Sequence, residues 1–271
     1  MTSTPERIAS QDRPVASQAR LKDKVALVTG AGTGIGRAAA LAFAREGAAV
    51  VLAGRREAEL QAVAGEILAA GGRAAVIPTD VTRPEATAAL VKGTLDRFGR
   101  LDAAFNNAGT VGVMAPITQL TEEAFDHLVS VNLRGTAFLV KHEVEAMLAQ
   151  GQGGAIVNTS SWLARSGVAG AALYAASKGA LDAMIRCVAL EVGGSGIRIN
   201  NLNPGIIDTP MFRGGGGDAL EALVAERTPL KRLGAPGDVG DVAVWLCTDE
   251  ARFITGQCLA VDGGLTVGGV L

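Results

Sequence analysis

The stretch Thr29-Gly30-Ala31-Gly32-Thr33-Gly34-Ile35-Gly36 follows the compact apolar run Val25–Thr29 and leads into the alanine-rich run Ile35–Glu46. The first run is typical of a buried β-strand and the second of a helix. The stretch fits T-G-x-x-x-G-x-G, with glycines at 30, 34 and 36, and does not fit G-x-G-x-x-G in any register. Glycines let a turn approach a pyrophosphate, and the following helix offers free N–H groups. The stretch therefore predicts a dinucleotide-binding strand–turn–helix unit.

Short apolar runs alternate with longer amphipathic runs through the rest of the chain. We predict further strands at Ala49–Ala53, Ala74–Pro78, Ala103–Asn106, Ala155–Thr159, Ile197–Leu202 and Cys258–Val261. We predict further helices at Glu57–Ala70, Pro84–Phe98, from the N-cap Thr121 to Gln150, at Leu173–Val192 and at Asp238–Thr248. Apolar strands alternating with helices are typical of a parallel sheet covered on both faces. The sequence predicts the α/β class, a single-domain Rossmann-type doubly wound, mostly parallel sheet.

Two segments depart from this regularity. Residues 1–20 are rich in Ser, Thr, Gln and Pro, and we interpret them as a flexible N-terminal extension to one domain at 21–271. Residues 208–229 contain four consecutive glycines, Gly214 to Gly217, which favour a mobile segment. This segment is either a surface loop or, if the active site lies beneath it, a substrate lid.

Composition argues against several classes of function. The net charge of −2 gives no basic footprint for nucleic acid, and no apolar stretch reaches the roughly 18 residues that span a bilayer. Cys187, Cys247 and Cys258 lack metal-binding spacing and suit a reducing, cytoplasmic location. His127 and His142 are the only histidines, which disfavours a zinc site or a Ser-His-Asp triad. We predict no metal and interpret both histidines as ordinary helix-surface or interface residues.

The end of the second strand bears on which nicotinamide cofactor is bound. NAD-binding proteins tend to place an acid there to bind the ribose 2′-hydroxyl. Here the strand ends in Ala53-Gly54-Arg55-Arg56, with no acid and two guanidinium groups that suit a 2′-phosphate. The alternative is that both arginines are solvated charges at the start of a helix. We favour NADP(H) over NAD(H).

The ordered motifs of the chain resemble the short-chain dehydrogenase/reductase family from Lys24 to about Gly264. The resemblance rests on the glycine stretch, Asp80-Val81, Asn106-Asn107-Ala108-Gly109, Asn132, Ser161, Tyr174, Lys178, Pro204-Gly205, Thr209 and Val261-Asp262-Gly263-Gly264. Ser161 precedes Tyr174 by 13 residues and Lys178 follows it by four, as in that family. Thr33 departs from relatives that carry a basic residue there and prefer NADP, and Ser160 adjoins Ser161.

The resemblance implies an NAD(P)-dependent alcohol dehydrogenase or ketoreductase with Asn132, Ser161, Tyr174 and Lys178 as catalytic residues. It implies cofactor contacts from Gly30, Thr33, Gly34, Ile35, Gly36, Arg55, Arg56, Asp80, Val81, Asn107, Ala108, Gly109, Tyr174, Lys178, Pro204, Gly205, Ile207 and Thr209. Lys178 would bind the nicotinamide ribose, and Asn132 would hold a water that links Lys178 to solvent. Relatives are commonly tetramers built through the helices after Thr121 and Leu173, so we predict a homotetramer or homodimer.

The chemistry also follows from the residue types. Tyr174 is the only tyrosine, and it shares a helix face with Lys178 at i,i+4. A phenol with an ordinary pKa of about 10 is a poor base, and a nearby ammonium group, together with the positive nicotinamide ring of the oxidised cofactor, is expected to lower that pKa. Tyr174 can then exchange a proton with the substrate oxygen, while Ser161 donates a hydrogen bond that strengthens as charge develops there.

The predicted mouth of the pocket is largely apolar. We expect it to be lined by Val113, Met114, Trp162, Leu163, Val168, Met211 and Phe212, with Arg165 and Arg213 as candidate anchors for an anion. This lining favours a small-molecule substrate, a medium-sized and fairly apolar secondary alcohol or ketone. The alternatives are a 3-oxoacyl-[acyl-carrier-protein] reductase, which would need the same four residues and a basic docking patch, and a non-catalytic NADP(H)-binding sensor.

Overall fold

The structure is a computed structural model that describes residues 19–214 and 218–267. Most of the predicted extension at residues 1–20, and residues 215–217 of the predicted lid, lie outside the described residues. Within the described part, the Arg20 guanidinium pairs with the Glu46 carboxylate at 2.9 Å between Nη2 and Oε1. The chain is therefore tied to the fold from Arg20 onward.

Strands and helices alternate in the predicted order. The strands are β1 (Val25–Thr29), β2 (Ala49–Gly54), β3 (Arg73–Pro78), β4 (Ala103–Asn106), β5 (Gly154–Thr159), β6 (Ile197–Pro204) and β7 (Cys258–Val261). The helices are α1 (Gly34–Arg45), α2 (Glu57–Ala69), α3 (Pro84–Phe98), α4 (Glu122–Val129), α5 (Thr136–Gln150), α6 (Ala172–Val192), α7 (Pro210–Arg213), α8 (Asp218–Arg227) and α9 (Pro236–Cys247). The start of α9 is earlier than predicted because Pro236 suits the first turn of a helix.

The seven strands form one parallel sheet in the order β3-β2-β1-β4-β5-β6-β7. This order confirms the predicted doubly wound α/β fold. The chain leaves β1 toward β2 on one side and returns to β4 on the other, so the strand order reverses between β1 and β4. Ligands of such sheets bind at the carboxyl ends of the strands beside this reversal.

Alternate side chains of each strand pack against helices on opposite faces. Val28 and Leu52 pack with Phe43, on the face that α1, α2 and α9 cover. Leu27 and Val51 face the other way and join the core beneath α3, α5 and α6. The strands read as continuously apolar because both of their faces are buried.

The predicted helix from Thr121 to Gln150 is interrupted. Thr121 caps α4 as expected, since its Oγ1 accepts a hydrogen bond from Ala124 N at 3.2 Å. Between α4 and α5, Ser130–Gly135 forms a π-helical turn that contains Asn132. A π-turn widens the helix and disturbs its regular hydrogen bonds, and such turns are frequent at functional sites. Its position was not predictable from the apolar spacing.

Candidate active site

A cavity of about 820 Å³ lies at the carboxyl ends of the central strands, where the fold predicts a ligand. Of the predicted contacts, its wall includes Gly30, Thr33, Gly34, Ile35, Arg55, Arg56, Asp80, Val81, Asn107, Ala108, Gly109, Met114, Ser161, Trp162, Leu163, Tyr174, Lys178, Pro204, Gly205, Ile207, Thr209, Met211 and Phe212. Residues from separate parts of the sequence therefore meet around one cavity, which runs from the glycine turn to α7.

The glycine turn is built so that added side chains would not fit. Gly30 and Gly34 have positive φ angles of 64° and 52°. A Cβ atom on Gly36 would lie 2.1 Å from the carbonyl oxygen of Gly30, so Gly36 supports the turn from behind the cavity wall. The N-cap of α1, Thr33, makes no side-chain cap, which leaves first-turn N–H groups for a ligand. The turn thus fits a pyrophosphate of the predicted dinucleotide.

The far end of the cavity carries most of its charged groups. Arg55 and Arg56 are exposed and line the wall. The Arg56 guanidinium donates to Thr33 Oγ1 at 3.1 Å and pairs with the Glu59 carboxylate at 2.9 Å. Burial tends to raise the pKa of Asp80, but hydrogen bonds from Thr82 and the nearby Arg55 charge hold it below its ordinary value. Two guanidinium groups and two carboxylates thus share this corner.

The Asn-Asn-Ala-Gly segment fastens β4 to the glycine turn. Thr29 Oγ1 accepts hydrogen bonds from the backbone N–H groups of Asn107 at 3.0 Å and Ala108 at 3.1 Å. The Asn107 side chain accepts from Thr159 Oγ1 at 3.2 Å and donates to the Thr29 carbonyl at 3.3 Å. These bonds fix the ends of three neighbouring strands relative to each other.

Tyr174 is partly buried and lies beside Ser161 in the cavity wall. Burial raises the pKa of the Tyr174 phenol, and a hydrogen bond with Ser161 offsets part of that rise. The Lys178 Nζ atom lies 5.8 Å from the centre of the Tyr174 ring. The net shift is opposite to the lowering that the sequence led us to expect from Lys178, because desolvation of the phenolate outweighs the stabilisation by its neighbours.

Lys178 is buried in the wall of the cavity. Its Nζ donates to the carbonyl oxygen of Thr159 at 2.6 Å, and its side chain is buried. Burial lowers the pKa of Lys178 to about 8, although the negative charge of Asp182 opposes this. A Cβ added at Gly109 would lie 3.7 Å from Nζ, an ordinary contact distance, so Gly109 borders the ammonium group.

Asn132 lies behind the cavity wall and is fully buried. Its Nδ2 donates to the carbonyl of Thr110 at 2.8 Å and to Ser177 Oγ at 3.3 Å, and its Oδ1 accepts from Thr110 N at 2.9 Å. The π-turn therefore joins the loop after β4 to α6. The side chain of Asn132 does not itself line the cavity.

The two adjacent serines have different surroundings. Ser160 Oγ donates to the carbonyl of Lys178 at 3.2 Å and so is used within the protein. Ser161 Oγ accepts from Leu163 N at 3.1 Å and bonds with Tyr174. The Ser161 and Tyr174 side chains therefore meet in the wall of the cavity.

The substrate end of the cavity differs in part from the prediction. Met114, Trp162, Leu163, Met211 and Phe212 line it. Val113 does not, because it lines a small depression nearby and is 69% exposed, and Val168 is also exposed outside the wall. Arg165 and Arg213 are absent from the wall, and Arg213 instead pairs with Asp208 at 2.6 Å. The two valines lie on irregular loops, where sequence distance from a strand end does not fix which way a side chain points.

Several wall residues were not foreseen from the sequence. They are Gly32, Gly54, Glu59, Leu60, Thr79, Thr110, Val111, His127, Val131, Thr159, Ser160, Ile206, Pro210 and Leu220. His127 was interpreted as an ordinary surface residue, yet it forms part of the wall. Its position one turn before Val131 and Asn132 on the same helical run was the available signal.

Two further features concern the described residues only. Within 19–214 and 218–267, no three His, Cys, Asp or Glu side chains are grouped so that they could hold a metal ion. No helix in that part of the chain is long and apolar enough to cross a membrane.

Comparison with known proteins agrees with this arrangement. A family model described as enoyl-(acyl carrier protein) reductase matches residues 30–266. An A-factor type γ-butyrolactone 1′-reductase (1S-forming) of Streptomyces virginiae is 42% identical, over 92% of this chain and 98% of that protein. Cyclohexanol dehydrogenase of Acinetobacter sp. (strain SE19) is 38% identical, over 91% of this chain and 96% of that protein.

A solved structure agrees with these matches. The crystal structure of a short-chain type dehydrogenase/reductase from Mycobacterium marinum is 33% identical and superposes with a TM-score of 0.88, over 93% of this chain and 98% of that one. The fold, the cavity and these matches are consistent from the glycine turn to the C-terminal strand. The chain therefore belongs to the short-chain dehydrogenase/reductase family of oxidoreductases.

Proposed function

We propose that the protein transfers a hydride between NADP(H) and a medium-sized, fairly apolar secondary alcohol or ketone. The observation that carries the proposal is the placement of Tyr174, Ser161 and Lys178 in the wall of one cavity whose neighbouring end is apolar. The nicotinamide cofactor, when bound, supplies or accepts the hydride. The protein contributes position, proton transfer and charge stabilisation.

The catalytic roles follow from the groups in the wall. Tyr174 carries its proton at neutral pH because burial raises its pKa, so it can donate that proton to a ketone oxygen and take it back from an alcohol. Ser161 donates a hydrogen bond to the same oxygen, which strengthens as negative charge develops. Lys178 binds the nicotinamide ribose, and Asn132 fixes the π-turn and the loop after β4 beside it.

The cofactor preference rests on the corner after β2. Gly54 supplies no acid for a 2′-hydroxyl, and Arg55 and Arg56 both line the cavity there. A 2′-phosphate is matched by guanidinium groups, which bind it through paired N–H donors. Glu59 already pairs with Arg56, so Arg55 is the guanidinium best placed to add binding energy for NADP(H).

The substrate class rests on the wall at the other end. Met114, Trp162 and Phe212 are among its members, and neither candidate arginine joins them. An acyl-carrier-protein substrate would need a basic docking surface, which this wall does not supply. The two relatives are named for a γ-butyrolactone and for cyclohexanol, which supports a cyclic substrate. The four-residue spacing of Tyr174 and Lys178 disfavours enoyl reduction, despite the description of the family model.

The proposal also covers the domain organisation, the oligomeric state and the cellular location. We assign 21–271 to one domain in which α7 and α8 cover the substrate end, since Met211, Phe212 and Leu220 line the cavity. A homotetramer or homodimer is supported by apolar side chains left in solvent, Leu190 on α6 at 87% and Phe253 at 100% exposure. We propose a cytoplasmic location on the grounds of the three free cysteines.

The test is an assay of NADPH and NADH oxidation with a panel of cyclic, aryl and acyl-thioester ketones. We expect turnover of the cyclic or aryl ketones with NADPH. Tyr174→Phe is expected to reduce kcat by about a thousandfold or more, because it removes the proton donor and keeps the ring. Cofactor fluorescence should show that the variant still binds NADPH. Tight binding of NADPH without turnover of any ketone would instead support a sensor.

A further inference from the structure

A row of buried asparagines crosses the half of the sheet that is formed by β4, β5 and β6. Asn106, Asn158 and Asn201 occupy matching register positions on β4, β5 and β6. Asn106 Nδ2 donates to Asn158 Oδ1 at 3.0 Å, and Asn158 Nδ2 donates to Asn201 Oδ1 at 3.0 Å. All three side chains are at most 2% exposed. Side chains at matching positions on adjacent strands lie close enough for such a chain of amides.

Each end of the row meets a buried carboxylate. Glu143 on α5 accepts from Asn106 Nδ2 at 2.9 Å, and Asp182 on α6 accepts from Asn201 Nδ2 at 2.8 Å. The two carboxylates resemble each other in burial, at 0% and 6% exposure. Burying a carboxylate lowers the stability of the fold unless it is paired or hydrogen-bonded, so the presence of two here requires an explanation.

The two ends differ in what else they touch. The second oxygen of Asp182 accepts from Asn203 Nδ2 at 2.9 Å, and the same nitrogen donates to the Ser161 carbonyl at 2.9 Å. Asp182 also follows Lys178 by four residues on α6, and Lys178 follows Tyr174 by four. Tyr174, Lys178 and Asp182 therefore share one face of the helix. The second oxygen of Glu143 has no hydrogen-bond partner within the described chain.

We propose that Asp182 is a positioning residue for the reaction, which supplies the counter-charge to Lys178 and, through Asn203, fixes the backbone of Ser161. The inference rests on the proposed function and extends it to a group that does not touch the substrate. It explains why an acid occupies the Asp182 end of the row, where a neutral amide would satisfy the same donors less well.

The charges around Asp182 come from several elements. On α6 they are Lys178 and the ionisable Tyr174. From β7, the Cys258 thiol contacts the Asp182 carbonyl at 4.0 Å, and burial, with the Asp182 charge, raises its pKa to about 11, so it stays neutral. The guanidinium of Arg165 lies near Cys258. His127, on α4, lines the cavity that Lys178 and Tyr174 also line. The negative charge of Asp182 stabilises the Lys178 ammonium and opposes the lowering of its pKa by burial.

The test compares Asp182→Asn with Glu143→Gln, which removes the carboxylate at the other end of the same row. Rates of ketone reduction would be measured against pH for both variants. Loss of the Asp182 charge favours the neutral amine of Lys178, so the alkaline decline in rate should move to lower pH by about one unit. We expect kcat to fall about tenfold as Ser161 loses its fixed position. Glu143→Gln should leave the pH of the decline unchanged.

Several outcomes would overturn the proposal. An unchanged pH profile in Asp182→Asn would do so, and so would an equal displacement in both variants. If Asp182→Asn does not fold, Asn203→Ala keeps the carboxylate and should lower kcat without moving the alkaline decline; an unaltered kcat there would refute the link to Ser161. If the wild type reduces no ketone, the proposed function fails separately. NMR titration of the Lys178 ammonium then decides, because Asp182→Asn must still lower its pKa.

Discussion

The carboxyl edge of the sheet has two halves that form the site in opposite ways. The cofactor half, at the ends of β1 and β2 with the glycine turn, presents backbone and open space: Gly30, Gly34 and Gly54 line the cavity there. The catalytic half, at the ends of β4, β5 and β6, presents side-chain amides and hydroxyls, nearly all of which are buried. Binding a pyrophosphate needs close approach and free N–H groups, whereas proton transfer needs side chains held at fixed positions.

This difference determines what each half costs the fold. Where side chains are missing, few buried polar groups remain to be satisfied. In the other half, each polar side chain needs a partner, and the asparagine row supplies those of Glu143 and Asp182. Within the described residues, Asn106 Oδ1, Glu143 Oε1 and Asn203 Oδ1 still lack one. A buried polar atom without a partner lowers the stability of the fold, so polar side chains at these positions are costly.

Among the changes that test this comparison of the two halves, the largest effect is expected from placing a side chain in the cofactor half. Gly36→Ala would put a Cβ 2.1 Å from the Gly30 carbonyl oxygen and 2.7 Å from Asn107 Nδ2, so the turn must shift. We expect NADPH affinity to fall about a hundredfold, since the turn loses its fit to the pyrophosphate. Fluorescence titration measures this loss.

Gly65→Ala is the matched control for that change. Gly65 is an exposed residue within α2, and an added Cβ there meets nothing within 4 Å. Because alanine favours a helix more than glycine does, Gly65→Ala should raise the free energy of unfolding by about 0.5–1 kcal/mol and leave NADPH binding unaltered. Wild-type affinity in Gly36→Ala would show that this half does not depend on absent side chains.

A smaller effect is expected from the charged corner, the one part of the cofactor half that works through side chains. Arg55→Ala should raise the KM for NADPH about tenfold and leave the KM for NADH nearly constant, because only NADPH carries the 2′-phosphate. Steady-state kinetics with both cofactors measure the ratio. Arg97→Ala, an exposed arginine on α3 away from the cavity, serves as control. A parallel rise for both cofactors would count against NADP(H).

The smallest expected effect concerns the catalytic half under changing pH. The pKa of Lys178 is lowered to about 8, so its ammonium charge is present below that pH and is lost above it. We expect kcat/KM for ketone reduction to fall several-fold between about pH 7 and about pH 9. Lys178→Arg keeps its charge throughout, so any activity it retains should not show this decline. A wild-type rate that stays constant over this range would contradict the role of the ammonium.

The same contrast explains which parts of the site could be predicted from the sequence. In the cofactor half, a glycine has few interpretations once a strand precedes it and a helix follows, so the turn was recognised directly. In the catalytic half, Tyr174 and Lys178 were found by their helical spacing. Asn158 and Asn201 carried no such pattern, because they lie on different strands and meet only through the register of the sheet. Asp182 continues the helical spacing of Tyr174 and Lys178, but its contacts with Asn201 and Asn203 depend on the packing of α6 against β6.

The misplaced and missed residues have related causes. Val113 and Val168 were placed at the pocket from their distance along the chain, and irregular loops turned them to solvent. His127 reached the cavity because α4 packs against α6, a contact between distant segments. Residues 1–18 and 215–217 lie outside the described part of the chain, so the predicted extension and lid tip stay predictions.

The sequence by itself determined the α/β class, the parallel order of elements and the order of the motifs, because apolar periodicity and glycine chemistry act between neighbours in the chain. The tertiary structure alone decided which residues enclose the cavity, how burial shifts the pKa values of Tyr174 and Lys178, and where the π-turn falls. It also joined Glu143 to Asp182 through three strands. These properties depend on desolvation and on strand register, which arise only when distant segments pack together.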